Sequence, residues 1–206
     1  MDRKDILELI ANAISHGIGL LLSISAMIVL IATTDTTVNS IATFVFGICL
    51  IILYTASTLF HSFPPSMKRV IAVFQRLDHS AIYLLIVGTY TPFIVILVPT
   101  QAGYTLLIIL WLIAITGIVF KSIWVKKHHY LHLALYLLMG WSILTIWPWV
   151  YSAIPSGALV FLILGGLSYT FGVFFYIKKF RFAHFIWHLF VLAGSLLHFI
   201  SIYQLI

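Results

Sequence analysis

The chain has 206 residues, 63% apolar and only 8% charged, with a formal net charge of +6. Soluble domains carry roughly 25% charged residues, and soluble packing could not hide this much apolar surface, so a soluble fold is excluded. The apolar runs are long and continuous where a membrane β-barrel would alternate in short segments, which makes the class all-α: a polytopic bundle of transmembrane helices in the cell membrane.

At the N-terminus, Asp2, Arg3, Lys4, Asp5 and Glu8 make a poor basic leader, and the apolar run that follows is too long for a signal peptide. The first span is therefore expected to be uncleaved. A helix needs about 20 residues to cross a bilayer. Seven runs meet that length, at roughly 12–32, 40–62, 78–98, 104–124, 130–150, 157–177 and 182–204, and residues 1–206 read as a single domain. "TTDTTVN" parts the first two. Pro64 and Pro65 in "FPPSMK" stop the second, because proline cannot continue a helix. The segment "SMKRVIAVFQRLD" has Val70, Ile71, Val73, Phe74 and Leu77 at helical spacing, and is expected to lie along the cytoplasmic interface before the third span. "VPTQAG", "KKHH", "AIPSG" and "IKKFR" supply the remaining breaks. The lone cysteine, Cys49, excludes an internal disulfide and any cysteine-based metal site.

All eleven Lys and Arg fall on one set of loops. Arg3 and Lys4 precede span one. Lys68, Arg69 and Arg76 lie between spans two and three, Lys121, Lys126 and Lys127 between four and five, and Lys178, Lys179 and Arg181 between six and seven. The positive-inside rule then puts the N-terminus in the cytoplasm and the C-terminus outside. Basic charge placed this way serves topology and lipid headgroups, so membrane lipids are the expected partners and nucleic acid is not.

Ionisable residues inside spans are costly and mark candidate functional sites. Helical rotation of about 100° per residue puts His184, His188, Ser195 and His198 on one face of span seven. Tyr54, Ser57 and His61 share a face of span two, Asn12, His16 and Ser23 of span one, and Asp78 and Thr89 of span three. His61 ends span two, Asp78 begins span three, and His184 and His188 occupy the first two turns of span seven. All four therefore belong at one depth near the cytoplasmic face, with His16 near that level. His198 lies about 21 Å beyond His184.

Three neutral imidazoles with an open position make a catalytic zinc pattern, here His61, His184 and His188. Asp78 is placed to hold or deprotonate a water, or to be a fourth ligand. Ser57, one turn from His61, is placed to orient a ligand or a substrate oxygen. Blander readings stand beside this one. The i,i+4 spacing recurs at His128 and His132, which with His129 adjoin Lys126 and Lys127 and read as interfacial. His16 reads as a packing histidine, and His198 as packing or cavity-lining. Asp78 has the alternatives of pairing with Arg76 or capping span three. Trp147 and Trp149 read as interface anchors.

"NAISHGIGL", "STLFHSF", "FQRLDHSAIYLLIVGTYTPF" and "HFIWHLFVLAGSLLHF" together resemble the bacterial hemolysin III family, within the progestin and adipoQ receptor superfamily. The resemblance runs nearly end to end with the motifs in order. It implies seven helices with the N-terminus inside and a zinc ion near the inner face. The S-x-x-x-H motif falls on Ser57 and His61, the aspartate of "LD" on Asp78, and the H-x-x-x-H pair on His184 and His188. The superfamily groups adipokine and steroid receptors with ceramidase-like membrane hydrolases. The implied activity is hydrolysis of a lipid amide or ester within the membrane, with Asp78 and Ser57 catalytic. The family name implies an alternative, a pore-forming cytolysin. A third reading is a sensor of membrane lipid state with zinc as a structural clamp.

Overall fold

In the computed structural model, which describes residues 3–124 and 128–206, the chain runs through eight α-helices and two short irregular turns. The helices are α1 (Arg3–Thr33), α2 (Thr37–Ser62), α3 (Lys68–Pro92), α4 (Gln101–Ile123), α5 (His129–Trp141), α6 (Trp147–Ala153), α7 (Ser156–Ile177) and α8 (Ala183–Tyr203). A π turn (Phe93–Leu97) extends α3, and a 3-10 turn (Ser142–Ile146) joins α5 to α6. Seven helical stretches are long and apolar enough to cross a membrane, the fifth being α5 to α6 taken together. There is no strand among the described residues. The protein is a multi-pass membrane protein.

Local chemistry sets the boundaries. Thr36 and Thr100 cap α2 and α4 by accepting from Asn39 N and Gly103 N, each at 3.2 Å. Pro64 and Pro65 end α2. The segment after them departs from expectation. Residues from Lys68 onward are the first turns of α3 itself, because no breaker stands between Lys68 and Asp78. Asp78 thus lies ten residues into α3 and cannot cap it. Arg76 does not pair with it either, donating instead to Ala72 O at 3.0 Å. Lys121 is also displaced from its expected place in a loop: it sits on the last turn of α4 and is 1% exposed. Lys126 and Lys127 lie outside the described residues.

Two spans are irregular in their second halves. Pro92 lacks the N–H that would continue the α3 ladder, and the π turn follows at once. Span five breaks where the Tyr90 hydroxyl donates to Gly140 O (2.9 Å) and accepts from Ser142 Oγ (3.0 Å) and Ile143 N (2.8 Å). One phenol thereby satisfies the backbone groups that the break frees.

In lipid, helices associate through close packing and buried polar contacts rather than by hiding apolar surface from water. Here aromatic rings seat on glycines of neighbouring spans. A Cβ at Gly117 would come within 2.3 Å of the Tyr83 ring, and one at Gly165 within 2.2 Å of the His198 ring. α3 is the central strut, with 67% of its apolar window buried. It packs on α2 and α4, α1 packs on α2, α7 on α8, and α1 meets α8 to close the bundle. Tyr54, Leu53, Leu85 and Val191 belong to the core cluster between α2, α3 and α8.

Candidate metal centre

α2 ends at Ser62 with His61 in its last turn, and α8 begins just after Phe182, whose φ of 64° turns the chain sharply into the helix. These two boundaries bring three imidazoles to one level. His61, His184 and His188 offer ligand nitrogens that all lie within 4.8 Å of one another. Their ring centroids are 4.6 Å apart for His184 and His188, 5.0 Å for His61 and His188, and 5.1 Å for His61 and His184. Nε2 of His61 and Nε2 of His184 are buried without any hydrogen-bond partner. Unpartnered buried nitrogens are costly, and a bound cation is one way to satisfy them.

His188 is held by a neighbour that the sequence did not reveal. Ser15 Oγ donates its hydrogen to Asn12 O at 2.9 Å. The same oxygen lies 3.3 Å from His188 Nδ1 and must therefore accept there. The hydrogen of His188 sits on Nδ1, and its Nε2 carries the lone pair. Metal-bound histidines are oriented in this way by a bond from the other ring nitrogen. His16, adjacent to Ser15, lies flat against His188, with centroids 3.5 Å apart and planes 12° apart, and both its nitrogens are unpartnered.

Two of the three, His184 and His188, line a cavity of about 30 Å³ with His16, Ser57 and Asp78, large enough for one water or one ion. Ser57 and Asp78 are buried, and Ser57 Oγ has no partner. His79, which sequence reasoning passed over, also lines this space, its Nε2 4.0 Å from Asp78 Oδ2. Tyr176 lines it from α7. Donor set and surroundings fit zinc: three neutral nitrogens, a carboxylate nearby and room for one more ligand.

The other histidines separate. His128 is exposed and His129 half-buried against Tyr176, as interfacial residues would be. His132 corrects that reading: it is 5% exposed and its Nδ1 lies 2.7 Å from the Tyr83 hydroxyl, tying α5 to α3. Charge in the sequence before His132 does not determine which way a residue one turn further in faces. Trp149 is exposed, but Trp147 packs against the core and lines a cavity beside His198.

Comparison with known proteins gives a family. The model described as "Haemolysin-III related" matches residues 6–199. The chain is 44% identical to the hemolysin-3 homolog of Bacillus subtilis (strain 168), over 91% of this chain and 89% of that one. It is 43% identical to hemolysin-3 of Bacillus cereus, over 95% and 90%. It is 29% identical to the human monocyte to macrophage differentiation factor, over 94% and 82%.

Proposed function

The chain belongs to the haemolysin-III related family, and from that premise we propose that it is a zinc-dependent hydrolase of a lipid amide or ester, working at the inner face of the membrane. One observation carries this reading: three clustered imidazoles, two of which border a space the size of one water, share that level with a buried carboxylate and an unpartnered serine hydroxyl. His61, His184 and His188 would hold the zinc. When bound, zinc polarises a carbonyl and brings the pKa of water towards 7.

The remaining steps fall to the chain. Asp78 accepts the proton of the attacking water and returns it to the leaving amine or alkoxide. Ser57 Oγ donates to the substrate oxygen. Ser15 keeps His188 in the tautomer with its lone pair inward. Ile82 and Leu85 lead from this cavity into apolar space between spans three, five, six and seven, which takes the acyl chain. The charge rule supports a cytoplasmic N-terminus, with which the chemistry would lie at the inner leaflet.

The test is paired. Metal content of purified protein should show zinc, lost in His184→Ala and retained in Asp78→Asn. Fatty acid release from membrane lipids should disappear in both. Turnover by a metal-free His188→Ala variant would end the hydrolase reading. Dye leakage from liposomes that persists without metal, with no lipid turnover, would favour the lysis for which the Bacillus cereus relative is named.

A further inference from the structure

The apolar space above the metal centre contains one polar atom that the chain leaves unsatisfied. Two adjoining cavities, of about 260 and 100 Å³, lie between spans three, five, six and seven. Thr89, Tyr90, Gly140, Trp141, Gly166 and His198 line both. No other buried side-chain nitrogen or oxygen in their lining lacks a partner. Thr89 Oγ1 donates to Leu85 O at 2.7 Å, and Tyr90 is saturated by the break in span five. Thr170 Oγ1 donates to Gly166 O at 2.8 Å and accepts from Trp141 Nε1 at 3.1 Å. The Tyr169 hydroxyl meets Ser195 Oγ at 2.9 Å.

His198 is the exception. Its Nε2 lies 3.2 Å from Leu162 O. A carbonyl oxygen only accepts, so Nε2 carries the hydrogen, and in the neutral ring Nδ1 holds a free lone pair. That Nδ1 is buried and has no partner, in a residue 8% exposed. The ring cannot escape by turning over, since its Cδ2–Nε2 edge is seated on Gly165 and the turn would break the bond to Leu162. The backbone agrees with a built site. Phe93 of the π turn, and Ile143 and Leu144 of the 3-10 turn, line the larger cavity. Irregular backbone at membrane depth is kept where it borders a cavity. Gly140 is exposed, which leaves the space open sideways to lipid.

We propose that this space binds a long-chain amphiphile with a hydroxyl group partway along its chain, and that the hydroxyl donates to His198 Nδ1. His198 is ten residues beyond His188 on α8, so the hydroxyl sits about 15 Å from the metal centre. The inference deepens the hydrolase reading and rests on it only for the carbonyl end of the chain. It makes the preferred substrate a hydroxylated acyl lipid.

Equilibrium binding to the purified protein tests this with three free acids: stearate, a mid-chain hydroxystearate, and the oxostearate with its oxygen on the same carbon. The hydroxy acid should bind roughly three- to tenfold more tightly than stearate, the value of one hydrogen bond. The oxo acid, which cannot donate, should gain nothing. His198→Gln keeps an N–H for Leu162 and should erase the preference while stearate still binds. Gly166→Leu, at a position where a Cβ meets nothing within 4 Å, should fill the cavity and weaken all three acids without lowering the melting temperature. Equal affinity of wild type for the hydroxy and oxo acids overturns the inference. Free acids are not hydrolysed, so that result leaves the hydrolase reading intact. Conversely, a hydroxyl preference in a protein that turns over no lipid would sink only the hydrolase reading.

Discussion

His16 lies face to face with His188, 3.5 Å between ring centroids, while Ser15 takes the hydrogen bond from the far side of the same ring. Two consecutive residues of α1 therefore set both the plane and the tautomer of an imidazole on α8. The first span acts on the centre without supplying a ligand.

Ser15→Ala should leave the three candidate ligands in place and weaken zinc binding by roughly 10- to 100-fold, the usual cost of losing an orienting bond to a metal histidine. Competition with a graded series of chelators measures it. Unchanged affinity would mean that the bond to Nδ1 does not govern His188.

His16 tests shape against polarity. His16→Phe keeps a flat ring over His188 and should retain zinc and thermal stability. His16→Ala opens a void beside the centre and should lower both. Equal loss in the two variants would show that the imidazole nitrogens matter in their own right.

The glycine contacts differ in how far their neighbours can yield. At Gly117 a Cβ would strike the Tyr83 ring, which His132 pins at its hydroxyl. At Gly157 it would meet only the far end of the flexible Gln204 side chain, Oε1 at 2.5 Å. Gly117→Ala should cost about 1–3 kcal/mol through overpacking, and Gly157→Ala distinctly less. Thermal unfolding in detergent ranks the two.

Seven spans put the termini on opposite sides of the membrane, and the basic loops predict which. A reporter active only in the cytoplasm should work when fused to the N-terminus and fail at the C-terminus. The reverse pattern would contradict the charge rule and move the metal centre to the outer face.

Much of this architecture is legible in the sequence because lipid makes simple demands. Unbroken apolar length gives the spans, and basic loops place His61, Asp78, His184 and His188 at one level. The third span starts ten residues earlier than hydropathy suggests, since Lys68 to Leu77 is helical but amphipathic. His132 was obscured by neighbouring charge, which says nothing about the face a helix turns inward. Ser15 was invisible for another reason: a serine in a helix usually bonds its own backbone, and its second partner lies 173 residues away. His79 sits about 100° round the helix from Asp78, and only the packing of α3 against its neighbours brings it into the same cavity. The break in span five depends on Tyr90, a residue of another span, and leaves only Gly140 and Pro148 as faint local signs.

That 173-residue reach has a consequence for biogenesis. The residues of the centre come from the first, second, third and last spans, so six inserted helices hold only part of it. A chain stalled before α8 has His61 and Asp78 in the bilayer but lacks both His184 and His188. Capture of the proposed zinc would then wait for the final helix, and loading with it would report that translation and insertion are complete.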